Sequence, residues 1–184
     1  MTNTYRTEEE FDIIRMKRIE VNDPVAMREV GIQSCEDGNY KGAFEYYTKA
    51  AGLGDVEAHF TLTLSCLYRH GLGVEKDEKK EVHHLEQATI GGDPDARYYL
   101  ARYEGINGKI DRAVKHWIIA AKLGHDGSLD ALKLFYREGY VSKEDFAAAL
   151  RAHQAAVDAT KSLQREAAEA GLQEEEVAEA ARQN

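Results

Sequence analysis

Three times this chain writes the same punctuation: an alanine-rich helical pattern stops at glycine, and a capping residue opens a new apolar helical pattern. The phrase reads Ala50-Ala51-Gly52-Leu53-Gly54-Asp55, then Ala88-Thr89-Ile90-Gly91-Gly92-Asp93, then Ala120-Ala121-Lys122-Leu123-Gly124-His125. The spacing between copies is 32 to 38 residues, with two helical patterns in each period. Such a period is the mark of a helical solenoid, in which each hairpin buries its apolar face only by stacking on its neighbours. No stretch alternates with period two between turn signals, and there are only two prolines, so the fold class is all-α. We expect a right-handed α-solenoid of stacked helical hairpins.

The turn and cap residues divide the chain. A leading helix over residues 8–20 carries Phe11, Ile13, Ile14, Met16 and Ile19 and should cover the first hairpin, so residues 1–22 form an N-terminal cap. Four hairpins follow over 23–54, 55–92, 93–124 and 125–162, the first and third opening on Asp-Pro, an N-cap followed by proline at the first helical position. The fourth is degenerate and closes on an alanine-rich helical run over Phe146 to Ala159, with an extension past Lys161 left open by the pattern. Residues 163–184 hold six glutamates against Arg165 and Arg182, a net charge of −4 out of −9 for the whole chain, and read as a solvated acidic tail.

At the second hairpin the residues become specific. Leu64, Tyr68, Gly71, Gly73, Val74, Asp77, Lys80 and Ala88 fall at the offsets of the Sel1-like repeat, with its Gly-x-Gly-Val loop, and this hairpin resembles a member of that family. The first and third hairpins are similar to shortened members: Ala43, Tyr46, Tyr47, Lys49, Ala50 and Ala51 in one, Ala113, His116, Trp117, Ala120 and Ala121 in the other. The resemblance covers about residues 23–156. It implies a tetratricopeptide-like superhelix that acts as a non-enzymatic adaptor in protein complexes. Some relatives carry a RING-like zinc module ahead of the first repeat and serve ubiquitin ligases, which makes a substrate-adaptor subunit the second reading; residues 2–10 contain no cysteine. Apart from any family, alanines seven apart allow close helix approach, and Tyr47, Leu85 and Trp117 at equivalent places should fill the space between neighbouring hairpins.

Catalytic and metal chemistry find no support in the pattern. His83 and His84 project about 100° apart on a helix and cannot share one ion. His125-Asp126-Gly127-Ser128 has triad residue types, but neighbours in sequence do not converge as nucleophile, base and orienter must, so the segment reads as a repeat boundary. Gly71-Leu72-Gly73-Val74 reads as a structural turn. Cys35 and Cys66 sit in different hairpins and read as structural thiols. No catalytic residue, cofactor or metal is expected.

What remains is the surface of the first helix of each hairpin. By analogy with tetratricopeptide geometry, Arg28, Ile32, His59, Arg69, His70, Tyr98, Arg102 and Arg137 point into the concave face, a basic and partly aromatic set in an acidic chain. The expected partner is a protein or peptide, acidic in character. A net charge of −9 argues against nucleic acid, and no segment has the ~20 apolar residues of a membrane span, so a soluble protein of the cytoplasm is expected.

Overall fold

The computed structural model describes residues 8–64 and 75–182, with side chains from Glu10 to Thr63 and from Glu75 to Leu163. Among the described residues every regular element is an α-helix. In order they are α1 (Glu8–Glu20), α2 (Pro24–Glu36), α3 (Tyr40–Gly52), α4 (Val56–Leu64), α5 (Glu78–Ile90), α6 (Pro94–Ile106), α7 (Ile110–Lys122), α8 (Asp126–Arg137) and α9 (Lys143–Arg182). Cys66, Arg69, His70 and the Gly71–Val74 turn lie outside the described residues.

The recurrent phrase has one structural meaning each time. After α3 the Asp55 N–H donates to the Ala50 carbonyl at 3.1 Å and the Gly54 N–H to the Ala51 carbonyl at 2.9 Å. After α5 the same two bonds run from Asp93 to Ala88 and from Gly92 to Thr89, and after α7 from His125 to Ala120 and from Gly124 to Ala121. This arrangement satisfies the last carbonyls of a helix and needs a left-handed residue at its hinge. Gly92, at φ +95°, supplies it without the clash that a Cβ would create. The residue that closes the helix then starts the next: Asp55 Oδ1 accepts from Ala58 N–H at 2.6 Å, Asp93 Oδ1 from Ala96 N–H at 2.7 Å, and His125 Nδ1 from Ser128 N–H at 2.9 Å. Asp93→Ala should therefore cost about 1 kcal/mol, while Asp93→Asn, which keeps the acceptor, stays close to the parent protein in urea unfolding.

The chain forms two compact units that meet in sequence within α6, one ending at Leu100 and the other beginning at Ala101. In the first, Met27, Ala43, Tyr47, Ala50, Ala51, Ala58 and Leu62 form a buried cluster at α2, α3 and α4, with Cys35 packed against it. At Gly31 α2 comes close to α3, since a Cβ there would lie 2.6 Å from the Tyr47 ring. A second cluster joins Leu85, Ala88, Ala96 and Leu100, with Phe60 of α4 and Tyr99 of α6 against it, ring centroids 6.0 Å apart. Ile19 of α1 packs on the first cluster, whereas Phe11, Ile13, Ile14 and Met16 are exposed, so only the last turn of the leading helix contributes to this core. That last turn is tied to α2 by Arg18, which donates to Asp23 at 2.8 Å and holds its carboxyl below the usual range together with the N–H groups it caps.

In the second unit α7 is packed by α8 and the first half of α9. Ala113, Val114, Trp117, Ala120, Ala121, Leu132, Val141 and Ala149 are buried. Trp117 meets Phe135 of α8 at 4.7 Å, and Tyr136 stacks on Phe146 of α9 at 5.1 Å with an interplanar angle of 7°. Ser142 caps α9, accepting from Asp145 N–H at 3.0 Å. α9 then continues past Lys161 through residues 163–182. Gly171 is the one helix breaker in that stretch, and its cost of about 1 kcal/mol is spread against many alanines, glutamates and glutamines that favour helix.

Candidate functional site

The candidate surface residues fall on α2, α4 and α6 in the first unit and on α6 and α8 in the second. Arg28 is where pairing changes the picture. Its guanidinium lies 3.2 Å from Asp55 and 3.0 Å from Glu57, and its side chain is only 17% exposed. Two carboxylates from the start of α4 thus neutralise it and fasten α2 to α4. Ile32, one helical turn further on, is 41% exposed. Tyr98 is half-buried and sits edge-on to Tyr99, ring centroids 5.4 Å apart. Arg102 and Arg137 are exposed on the second unit.

His59 belongs to a cluster that the sequence reading did not assemble. Its Nδ1 lies 2.8 Å from Nδ1 of His84 on α5, and His83 stands edge-on to His84 with centroids 5.5 Å apart. Burial, assisted by the neighbouring rings and Lys80, lowers His84 to about 4. Burial likewise lowers His59, with the Ala51 carbonyl and Asp55 acting against it and His83 with it. The rings are therefore neutral at neutral pH. The signal in the sequence was the placement of His59 on one helix of a hairpin and His84 on the other, which spacing alone does not register.

A second ionic feature went unread. Glu104 is 3% exposed near the end of α6 and takes Arg112 at 2.9 Å and Lys109 at 3.2 Å. Lys109 and Arg112 flank the start of α7, so a buried carboxylate ties the two helices of the third hairpin. In the first unit Arg97 closes the end of α5, its guanidinium donating to the Thr89 carbonyl at 2.8 Å while burial lowers its pKa.

The residue types of a hydrolytic triad do come near one another, but in the wrong arrangement. Ser128 Oγ is 2.9 Å from His125 Nδ1, the same nitrogen that accepts the Ser128 N–H. Ser128 is fully buried, and Asp126 faces His153 of α9 at 2.9 Å instead of His125. The set caps α8 and fastens α9 to it. Two clefts, one at Phe11, Asp12, Arg15, Gln33 and Asp37 and one at Gly108 to Arg112 with Tyr140, are open and gather no nucleophile beside a base. Among the described residues no three His, Cys, Asp or Glu side chains converge as a metal site, and no helix is long and apolar enough to cross a membrane.

Comparison with known proteins names the architecture. The Sel1 repeat model matches residues 24–55, 64–93 and 94–125, together just over half of the chain. The chain belongs to the Sel1 repeat family, whose members are generally helical-repeat scaffolds for protein–protein interaction and generally non-catalytic. The fold is similar to the crystal structure of a Sel1 repeat protein from Oxalobacter formigenes, at TM-score 0.64 and 29% identity over 81% of this chain and 63% of that one. It is also similar to a protective antigen of uropathogenic Escherichia coli strains displaying an SLR fold, at TM-score 0.59 and 21% identity over 83% of this chain and 33% of that one. This chain thus spans under two thirds of either structure's length. No curated protein matches it significantly.

Proposed function

We propose that this chain is a non-enzymatic interaction module that docks a protein or peptide segment on the faces of the first helices of its hairpins. Membership in a family of repeat scaffolds carries this reading. The exposed Ile32 on α2, with exposed Arg102 and Arg137 on the second unit, supplies apolar and cationic contacts of the kind a peptide uses. Acidic segments are the favoured ligands. Arg102 and Arg137 are exposed, whereas the Arg28 side chain is largely covered where it meets Asp55 and Glu57, so accessibility favours the former pair as the cationic contacts.

The test is fluorescence anisotropy with a labelled acidic peptide and its neutral amide counterpart. Arg102→Glu and Arg137→Glu should each weaken the acidic peptide about five- to tenfold at low salt, and the acidic preference should shrink as ionic strength rises. Arg28→Gln serves as the contrast, lowering stability with little effect on charge selectivity. Equal affinity for both peptides, or charge-reversed variants that bind as well as the parent protein, rules out this surface.

A further inference from the structure

The second hairpin is closed by a contact unlike the alanine and leucine packing beside it. His59 on α4 and His84 on α5 meet nitrogen to nitrogen at 2.8 Å. Two neutral imidazoles can make that bond only if one nitrogen carries a proton and the other does not. The Ala51 carbonyl, at the end of α3, biases which is which. It favours the protonated side of His59, whose Nδ1 is already turned to His84, and so supports a proton on His59 Nε2 with a bare Nδ1. His84 must then donate through Nδ1–H. Three helices are joined in one line: α3 by a carbonyl, α4 by an acceptor ring, α5 by a donor ring.

We infer that His59 and His84 form a proton-operated latch: neutral rings hold the second hairpin shut, and proton uptake in mildly acidic solution releases it. The chemistry is stepwise. The first added proton still leaves one N–H between the rings, as an imidazolium bonded to an imidazole. A second places an N–H and a positive charge on both sides of a 2.8 Å gap, so the bond is lost and the like charges repel. The surroundings favour release. From α5, His83 and Lys80 both act against protonation of His84. At the cap of α4, Asp55 acts the other way on His59, but Arg28 of α2 already pairs with it. From α3 comes only the uncharged Ala51 carbonyl.

The direction with pH follows from the depressed values. Both rings titrate below 6.5 in the closed form and rise toward it when released, so opening takes up protons. Stability from the latch is complete above pH 6.5 and is lost as pH falls toward about 4. Each proton taken up makes the opening constant rise tenfold per pH unit within that window.

The full chain with ¹⁵N-labelled histidine tests this by NMR titration, alongside urea unfolding of the parent, His84→Gln and His59→Gln/His84→Gln proteins between pH 7.5 and 4.5. We expect His84 protonated at Nδ1 and His59 at Nε2 at pH 7, both titrating below the ordinary value and together. The double variant should lose at least a tenfold share of the parent's change in unfolding constant between pH 7 and pH 5. Rings that titrate independently near 6.5, or a double variant with the parent's full pH dependence, overturn the latch. Should the variants fail to fold, the titration of the unmodified chain decides alone.

Discussion

Trp117→Ala should destabilise the second unit by about 3–5 kcal/mol, the range for losing a large aromatic side chain from a core. The ring is 4% exposed, meets Phe135 at 4.7 Å and lies 3.7 Å from where a Cβ on Gly105 would sit, so three helices lose contact at once. Its aromatic partner, Phe135, is on α8 of the fourth hairpin, so the ring packs between the third hairpin and its neighbour. Trp117→Phe should cost far less, because the buried indole N–H has no hydrogen-bond partner among the described residues and its removal leaves no acceptor stranded there. Ile119→Ala, on the same helix but at a residue 41% exposed, serves as control and should stay within about 0.5 kcal/mol. Urea unfolding followed by far-ultraviolet circular dichroism reads all three. A Trp117→Ala loss below about 1 kcal/mol would place the ring outside the core.

Deleting residues 125–184 should abolish the cooperative transition of the second unit, while deleting only 171–184 should cost less than about 0.5 kcal/mol. The longer deletion removes α8 and α9 and strips Trp117, Ala113 and Ala120 of their cover. The shorter one trims a helix end beyond the last buried residue described on α9, His153. Thermal melts that show comparable losses for both truncations would mean the end of α9 is packed on the body.

Helix ends were legible because each is fixed by residues that act locally. Gly54, Gly92 and Gly124 end their helices through a bond three positions back, and Asp55, Asp93 and His125 add a bond five positions back while capping the next helix through a bond three positions ahead. Boundaries therefore fell within a residue or so of the pattern. The end of α9 stayed open in the sequence because no strong stop is written after Lys161, and the reach of a helix rich in Ala and Glu is set by summed propensity. The equivalence of Tyr47, Leu85 and Trp117 was readable from the repeat, and all three are buried.

The candidate site was less legible because its electrostatics depend on partners distant in sequence. Arg28 looks like a free surface cation until Asp55, 27 residues on, comes alongside. His59 looks like one more polar surface residue until His84, 25 residues on, meets it. Glu104 would be expected in water from its charge, yet Lys109 and Arg112 allow it to be buried. Charge on a repeat surface is a property of pairs, and a linear pattern ranks residues singly.

The junctions after α3, α5 and α7 share a further property. Each makes the same two backbone bonds to stop one helix and the same three-residue cap to begin the next, whatever the hairpin on either side. Such a joint is indifferent to what it connects. A duplicated copy of residues 55–92 inserted after Gly92 would meet a familiar seam at both of its ends, so genes of this kind can lengthen or shorten by whole hairpins without redesigning a single turn. The glycine and its capping neighbour are, in evolutionary terms, the splice sites of the protein itself.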